Sequence, residues 1–220
     1  MKLLVLSGGN HPYKETTPIL ESFLTDAGYS LTVSEDASLL SGKDMENYDA
    51  LVFNTLRYGD LALNEKEQEG LINFVSEGKG FVCIHVSGQR PENWDEYQEI
   101  TGGGWITKVC KHSPYGQFEV TVWDETHPCS KDLEKFIAND ELYYECPDKP
   151  KQLGWWDGNE VFLATEWLGL PRPMAWTRKY GNGLVMQTLL GHDGLSFSNP
   201  AFQQIIINGI EYVTGRIKIN

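Results

Sequence analysis

Short apolar runs that end abruptly at glycine, asparagine or histidine recur through the first 85 residues, with helix-spaced apolar positions between them. Lys2 to Leu6 is one such run and stops at Ser7-Gly8-Gly9. Pro18 to Ala27 follows with Ile19, Leu20, Phe23, Leu24 and Ala27 on one helical face, closed by Gly28. Ser30 to Ser34 and Asp49 to Phe53 read as further strands, the latter ending in Asn54-Thr55. Asn64, with Glu67 three residues on, is a capping-box start for a helix that buries Leu71, Ile72, Phe74 and Val75. Gly78-Lys79-Gly80 breaks that helix, and Phe81-Val82-Cys83-Ile84 runs straight into His85. Unbroken apolar strands that alternate with helices predict a parallel sheet covered on both faces, because a parallel strand needs a crossover helix.

The second half has a different grain. Gln117 to Trp123 alternates apolar and polar residues, as a half-exposed strand does. Glu141 to Glu145, Glu160 to Thr165 and Met174 to Arg178 read as more strands. Gly181-Asn182-Gly183 signals a hairpin turn before Leu184 to Leu190, and Gly191-His192-Asp193 follows. Pro200 opens a last helix with Phe202, Ile205, Ile206, Ile210 and Val213 inward. The expected architecture is one α/β domain over residues 1–220, doubly wound and mostly parallel, with added β-hairpin elements in the second half.

Charge narrows the partners. Lys plus Arg number 18 against 31 Asp plus Glu, a net charge of −13. That field repels phosphate backbones and anionic lipid, so nucleic acid and membrane are not expected partners. No apolar run approaches the roughly 20 residues of a membrane span, and the apolar stretch at the start is too short for a signal core. A cytoplasmic location is the expectation. The four cysteines, Cys83, Cys110, Cys129 and Cys146, form no CxxC pair, and free thiols are expected. The apolar last helix leaves a homo-oligomer open.

In doubly wound sheets, ligands bind beyond the carboxyl ends of the strands. The loops after the first, third and fourth strands carry His11, Asn54 and His85. His192 follows a later strand. A single histidine is more often a structural hydrogen-bonding group, but three of five meeting at one sheet edge suit proton transfer or metal ligation. Asp140 and Glu141 are carboxylates able to orient an imidazole, act as a base or share a metal, and Tyr143 can donate a hydrogen bond. His85 and His192, with Asp140 and Glu141, are the catalytic candidates. His11, Asn54, His112, Tyr143 and Trp176 are the substrate-binding candidates. His85, His112 and His192 are the candidate ligands for a divalent metal such as Zn, Fe, Ni or Mn. His127-Pro128 reads as a structural turn, and Cys83, inside a strand, as an inert buried thiol. There is no GxSxG elbow, P-loop or GxGxxG after a strand, so no nucleotide cofactor is expected.

Several stretches, taken in order, resemble the trehalose-utilisation (ThuA-like) family of the class I glutamine amidotransferase-like superfamily. They are Gly78 to His85, His112-Ser113-Pro114-Tyr115-Gly116, His127-Pro128, Asp140 to Tyr143, Pro173 to Arg178, Gly181-Asn182-Gly183, Gly191-His192 and Asn199 to Phe202. The resemblance spans almost the whole chain and implies a flavodoxin-like fold. It also implies a role in carbohydrate metabolism, with a sugar or keto-sugar as the small-molecule partner. Laid on the amidotransferase pattern, His85 falls where the nucleophilic thiol would stand and His192 where the catalytic histidine would. Glutamine hydrolysis through a thioester is therefore not expected. The remaining readings are an enzyme using isomerisation, elimination or hydrolysis, and a non-catalytic sugar- or metabolite-binding protein or partner subunit of a sugar dehydrogenase system.

Overall fold

The computed structural model describes residues 1–144 and 155–217. Its centre is a nine-stranded sheet in which β1 (Lys2–Gly9), β2 (Ser30–Ser34), β3 (Ala50–Leu56), β4 (Gly80–Ile84) and β11 (Gly183–Thr188) run parallel, in the order β2-β1-β3-β4-β11. Beyond β11 the sheet continues antiparallel through β10 (Leu170–Tyr180), β9 (Glu160–Trp167), β6 (Gly116–Val122) and β7 (Phe136–Asp140). A small separate ribbon pairs β5 (Lys111–His112) with β8 (Tyr143–Tyr144).

Alternation along β1 explains the two covering layers. Leu3 and Val5 face α1 (Tyr13–Asp26) and α4 (Pro200–Val213), burying Leu20, Leu24, Ile205 and Ile206. Leu4 and Leu6 face the opposite layer, with Leu71 and Phe74 of α2 (Glu65–Ser76) and Tyr97 and Ile100 of α3 (Glu96–Thr101). A strand covered on both sides is apolar along its buried stretch, as Leu3-Leu4-Val5-Leu6 is. The α2 capping box forms as expected: Asn64 Oδ1 accepts from the Glu67 backbone and Glu67 Oε2 accepts from Asn64 N. No helix among the described residues is long and apolar enough to cross a membrane.

The doubly wound fold is as expected; several element limits differ. The first helix begins at Tyr13 rather than Pro18, so that proline lies inside it. The last strand before the hairpin runs from Leu170, past Pro171 and Pro173, with its register shifted between Pro173 and Ala175. Prolines interrupt a strand pattern; Pro171 pairs in register with Glu166, and the bulge follows Pro173. Phe136–Asp140 is a strand that the sequence pattern does not announce, and of the strand placed at Glu141 to Glu145 the described part begins at Tyr143 and covers Tyr143–Tyr144. Glu145 and Cys146 lie outside the described residues. The hairpin turn at Gly181-Asn182 joins β10 to β11 with Tyr180 opposite Gly183.

Candidate functional site

Because β1, β4 and β11 are parallel, the residues that follow them reach the same edge of the sheet. His11, His85 and His192 meet there. Their ring centroids lie 5.1 Å (His11–His85), 4.8 Å (His11–His192) and 5.4 Å (His85–His192) apart. One nitrogen from each ring can be chosen so that all three lie within 4.8 Å of one another. His11 thus takes the place in the candidate metal set that the sequence reading gave to His112.

His85 opens the sharp turn His85–Gly88 in the left-handed region, at φ 54°. That conformation costs a non-glycine residue about 1–2 kcal/mol, so the surroundings must hold it. They do: the imidazole is 2% exposed, its Nδ1 lies 2.7 Å from the Leu189 carbonyl, and Gln187 Nε2 donates to the His85 carbonyl at 3.2 Å. A carbonyl only accepts, so Nδ1 carries the proton. Nε2 is then a lone pair, and the single proton of Tyr143 Oη is shared between it at 2.9 Å and Glu141 Oε2 at 3.2 Å. The two rings stack, with centroids 5.0 Å apart. Burial drives the His85 pKa well below its ordinary value, reinforced by His11, and keeps the ring neutral. Asp140 Oδ1 lies 4.0 Å from Nδ1, but the proton there is already given to Leu189.

The antiparallel half supplies the other groups. Asp140, at the end of β7, is 1% exposed. Its Oδ2 accepts from Gly191 N at 2.7 Å and Ser196 Oγ at 2.8 Å, and its Oδ1 from Glu141 N at 2.8 Å. Burial pushes its pKa up to about 7, against the pull of those donors. Asp140 is therefore the clamp that holds the loop carrying His192, not a group open to substrate. Gly191 is required in this loop: its φ is 119°, and a Cβ would lie 2.8 Å from Ile84 Cγ2.

Glu141 is the hub. Its Oε2 lies 3.2 Å from Tyr143 Oη and 3.5 Å from His192 Nδ1, and its Oε1 lies 3.5 Å from His112 Nδ1. His192 Nδ1 is buried without a hydrogen-bond partner among the described residues. The β5–β8 ribbon pairs His112 directly with Tyr143, which explains why these two arrive together. His112 Nδ1 is itself 2.8 Å from the Ser113 carbonyl. His11 is half-buried, and burial together with the nearby His192 pushes its pKa down to about 4.

Two sequence candidates lie elsewhere. Trp176 is fully buried, and its Nε1 donates to the Thr101 carbonyl at 2.8 Å, so it offers no face to a ligand. Asn54 is 1% exposed, and its amide donates to Thr16 Oγ1 at 3.1 Å, tying β3 to α1. The aromatic neighbours of the site are instead Trp105, 4.8 Å from Tyr143 and 5.7 Å from His112, and Tyr115, 5.4 Å from His192 between ring centroids. Tyr115 stands in the His112–Gly116 stretch, but nothing in the Trp105 sequence context sets it apart from the other tryptophans. Cys83 is wholly buried in the layer of α2 and α3, with its thiol pKa raised by burial, so no activated thiol stands at the turn. His127 caps the short turn Pro128–Ser130 through Nδ1, which accepts from Cys129 N at 3.1 Å, in keeping with a structural role.

The sequence model of a family described as trehalose utilisation (ThuA) matches residues 2–213. Among solved structures, a ThuA-like protein from Parabacteroides merdae is 19% identical, with a TM-score of 0.80 over 100% of this chain and 91% of that one. A ThuA-like protein from Bacteroides uniformis is 19% identical, with a TM-score of 0.75 over 99% and 92%. A protein from Thermoplasma acidophilum described as part of a GMP synthase is 14% identical, with a TM-score of 0.58 over 98% and 94%. At these identities the likeness is one of fold. No curated protein matches the chain.

Proposed function

Since the chain belongs to the trehalose-utilisation (ThuA) family, whose description gives it a carbohydrate-related role, we propose that it is an enzyme moving a proton on a sugar or keto-sugar. The carrying observation is the set of contacts around Glu141, with Tyr143 Oη at 3.2 Å, His192 Nδ1 at 3.5 Å, and His85 Nε2 2.9 Å behind Tyr143. A keto group acidifies the neighbouring C–H. His192, the partly exposed imidazole, removes that proton through Nε2, and Glu141 stabilises the imidazolium that forms. Tyr143 turns its proton from His85 to the substrate oxygen, where negative charge develops. Neutral His11 adds a donor on the same side. Return of the proton to the former keto carbon, while the neighbouring hydroxyl gives up its proton and becomes the new carbonyl, gives isomerisation; collapse of the enolate with departure of a substituent β to the keto carbon, bearing its electron pair, gives elimination. Trp105 and Tyr115 offer faces for the sugar ring. Structural likeness to two glycosidases, a β-galactosidase from Rahnella and a mannosidase from an Opitutaceae bacterium, accords with a sugar ligand; their chains match at 13% and 11% identity, over 31% and 36% of their length.

The test is hydrogen exchange. A panel of keto-sugars is incubated with the protein in heavy water and followed by mass spectrometry. The expected result is uptake of one deuteron next to the keto group, abolished by Glu141→Gln and by His192→Gln with circular dichroism unchanged. Sugars that bind without exchanging would overturn the reading in favour of a sugar-binding protein.

A metal-assisted version has its own support: three imidazoles within 4.8 Å, and His85 held through Nδ1 by a backbone carbonyl, as ligating histidines commonly are. His11, His85 and His192 would hold Zn, Fe, Ni or Mn, which would polarise the keto oxygen. Elemental analysis of untagged protein separates the versions. A stoichiometric metal lost in His11→Ala supports this one, and a metal content below about a tenth per chain rejects it.

A further inference from the structure

Beside the histidine cluster lies a cavity that the proton chemistry does not use. Its volume is about 900 Å³, near the upper end of the roughly 300–1,000 Å³ of small-molecule sites. It is built from the segments that follow β3 and β4, together with Ile106 to Lys108. The two sites share walls. The turn His85–Gly88 gives His85 to the cluster and Ser87 to the cavity, and Trp105 faces Tyr143 while Ile106 lines the cavity.

The lining runs against the character of the chain. Its charged residues are Arg57, Arg90, Lys108 and Glu92, three basic to one acidic, where the whole chain has 18 basic to 31 acidic. Arg57 is half-buried, and its guanidinium is held by neutral acceptors: the Ser7 carbonyl at 3.1 Å, Thr55 Oγ1 at 3.1 Å and the Glu35 carbonyl. Three carboxylates act on it through space, Glu67, Glu35 and Asp36, of which Glu67 accepts from the Asn64 backbone and Asp36 from the Ser38 backbone. Among the described residues no carboxylate is hydrogen-bonded to the Arg57 guanidinium. Arg90 pairs with Asp95 at 3.5 Å, but both are exposed and that pair is weak. Lys108 is exposed at the rim. Between these cations stand the amides of Gln89 and Asn93 and the largely buried ring of Trp94, groups suited to hydroxyls and to the C–H face of a sugar ring.

We propose that this cavity binds an anionic polyol of sugar size, with its carboxylate or phosphate on Arg57 and Lys108 and its hydroxyls on the amides. The proposal stands on the cavity's lining and not on the proton chemistry next to it.

The test is calorimetric titration of the full chain with gluconate, glucose 6-phosphate and glucose. Binding of at least one anion, ten times tighter than glucose or more, is expected. Gluconate alone would mark a carboxylate site, glucose 6-phosphate alone a phosphate site, and both a general anion site; each supports the proposal. Arg57→Met is expected to abolish binding. Because Arg57 also holds backbone carbonyls, the rim variant Arg90→Gln/Lys108→Gln provides a check that spares the fold, and it should weaken binding about tenfold. Glu141→Gln should leave binding intact even as it stops exchange, so the two readings fail separately. Glucose binding as tightly as the anions, no binding of any of the three at millimolar concentration, or a rim variant within twofold of the parent would overturn the proposal.

Discussion

The parallel and antiparallel halves of the sheet divide the labour. The parallel half brings histidines to one edge by topology alone: a strand that ends there delivers whatever follows it, and β1, β4 and β11 deliver His11, His85 and His192. The antiparallel half contributes the groups that give those imidazoles something to do. Asp140 fixes the His192 loop, Glu141 bridges His192 and Tyr143, and Tyr143 closes on His85. Topology accounts for the gathering of the histidines; the carboxylate and phenol placed between them come from the chain's second half.

The sharpest way to break that division is to compare Glu141→Gln with His11→Gln. If the antiparallel half carries the chemistry, Glu141→Gln lowers the deuterium-exchange rate about 10²–10⁴-fold, because the general base His192 loses the carboxylate that stabilises its imidazolium. His11→Gln then lowers it about tenfold or less. Equal losses would place the work in the histidine cluster itself and favour the metal-assisted version.

Asp140→Asn comes next. The amide keeps one oxygen but turns an NH₂ toward Gly191 N or Ser196 Oγ, where a carboxylate accepted. Hydrogen bonds to a charged group contribute about 1.5–3 kcal/mol, so a loss of about 2 kcal/mol in urea denaturation is expected. Exchange activity should fall with it as the His192 loop loosens. Full stability with lost activity would make Asp140 a direct participant rather than a clamp. Gly191→Ala asks the same of the parallel half. The positive φ and the 2.8 Å approach of Ile84 Cγ2 make the methyl strained, and a loss of about 1–3 kcal/mol is expected by the same measurement.

The two halves also differ in how far the sequence reveals them. The inner parallel strands β1, β3 and β4 are covered on both faces, so each carries an apolar run (Leu3 to Leu6, Ala50 to Phe53, Phe81 to Ile84), and the terminal His85 follows directly from β4. Their carboxyl ends are thereby fixed, and so is the meeting of His85 with His192. The antiparallel strands are covered unevenly, and their pattern is weaker. Phe136–Asp140 has a half-exposed phenylalanine and an exposed Ile137, and it ends in a buried Asp140, so it matches neither strand template cleanly. Asp140, Glu141 and Tyr143 stand out as candidates by their chemistry, but not by their separate roles, because the two-residue ribbon that turns Tyr143 toward His85 is set by a partner strand 31 positions away (112 to 143). Trp176 and Asn54 are misplaced by sequence for a related reason. Residue type suggests a ligand contact, whereas burial depends on neighbours from distant segments, Thr101 for the one and Thr16 for the other.

The smallest effect tests whether a histidine of the antiparallel half away from the site is purely structural. His127 accepts from Cys129 N through Nδ1 and meets Thr177 Oγ1 with Nε2 at 2.8 Å, so the neutral ring is the form that fits. Burial lowers its pKa, opposed by Glu160, whose Oε2 lies 3.7 Å away, and by Asp124. A lowered folded pKa means that the unfolded chain binds the proton more readily below about pH 6.5, so stability falls as pH drops through that value and is restored above it. His127→Gln removes the titrating group while keeping a side chain able to hydrogen-bond. Urea midpoints of the variant, measured from about pH 7.5 to 5, should decline less steeply than those of the parent. An equally steep decline would assign the pH dependence to the histidines of the parallel edge, and with it the stability cost of holding neutral imidazoles at the site.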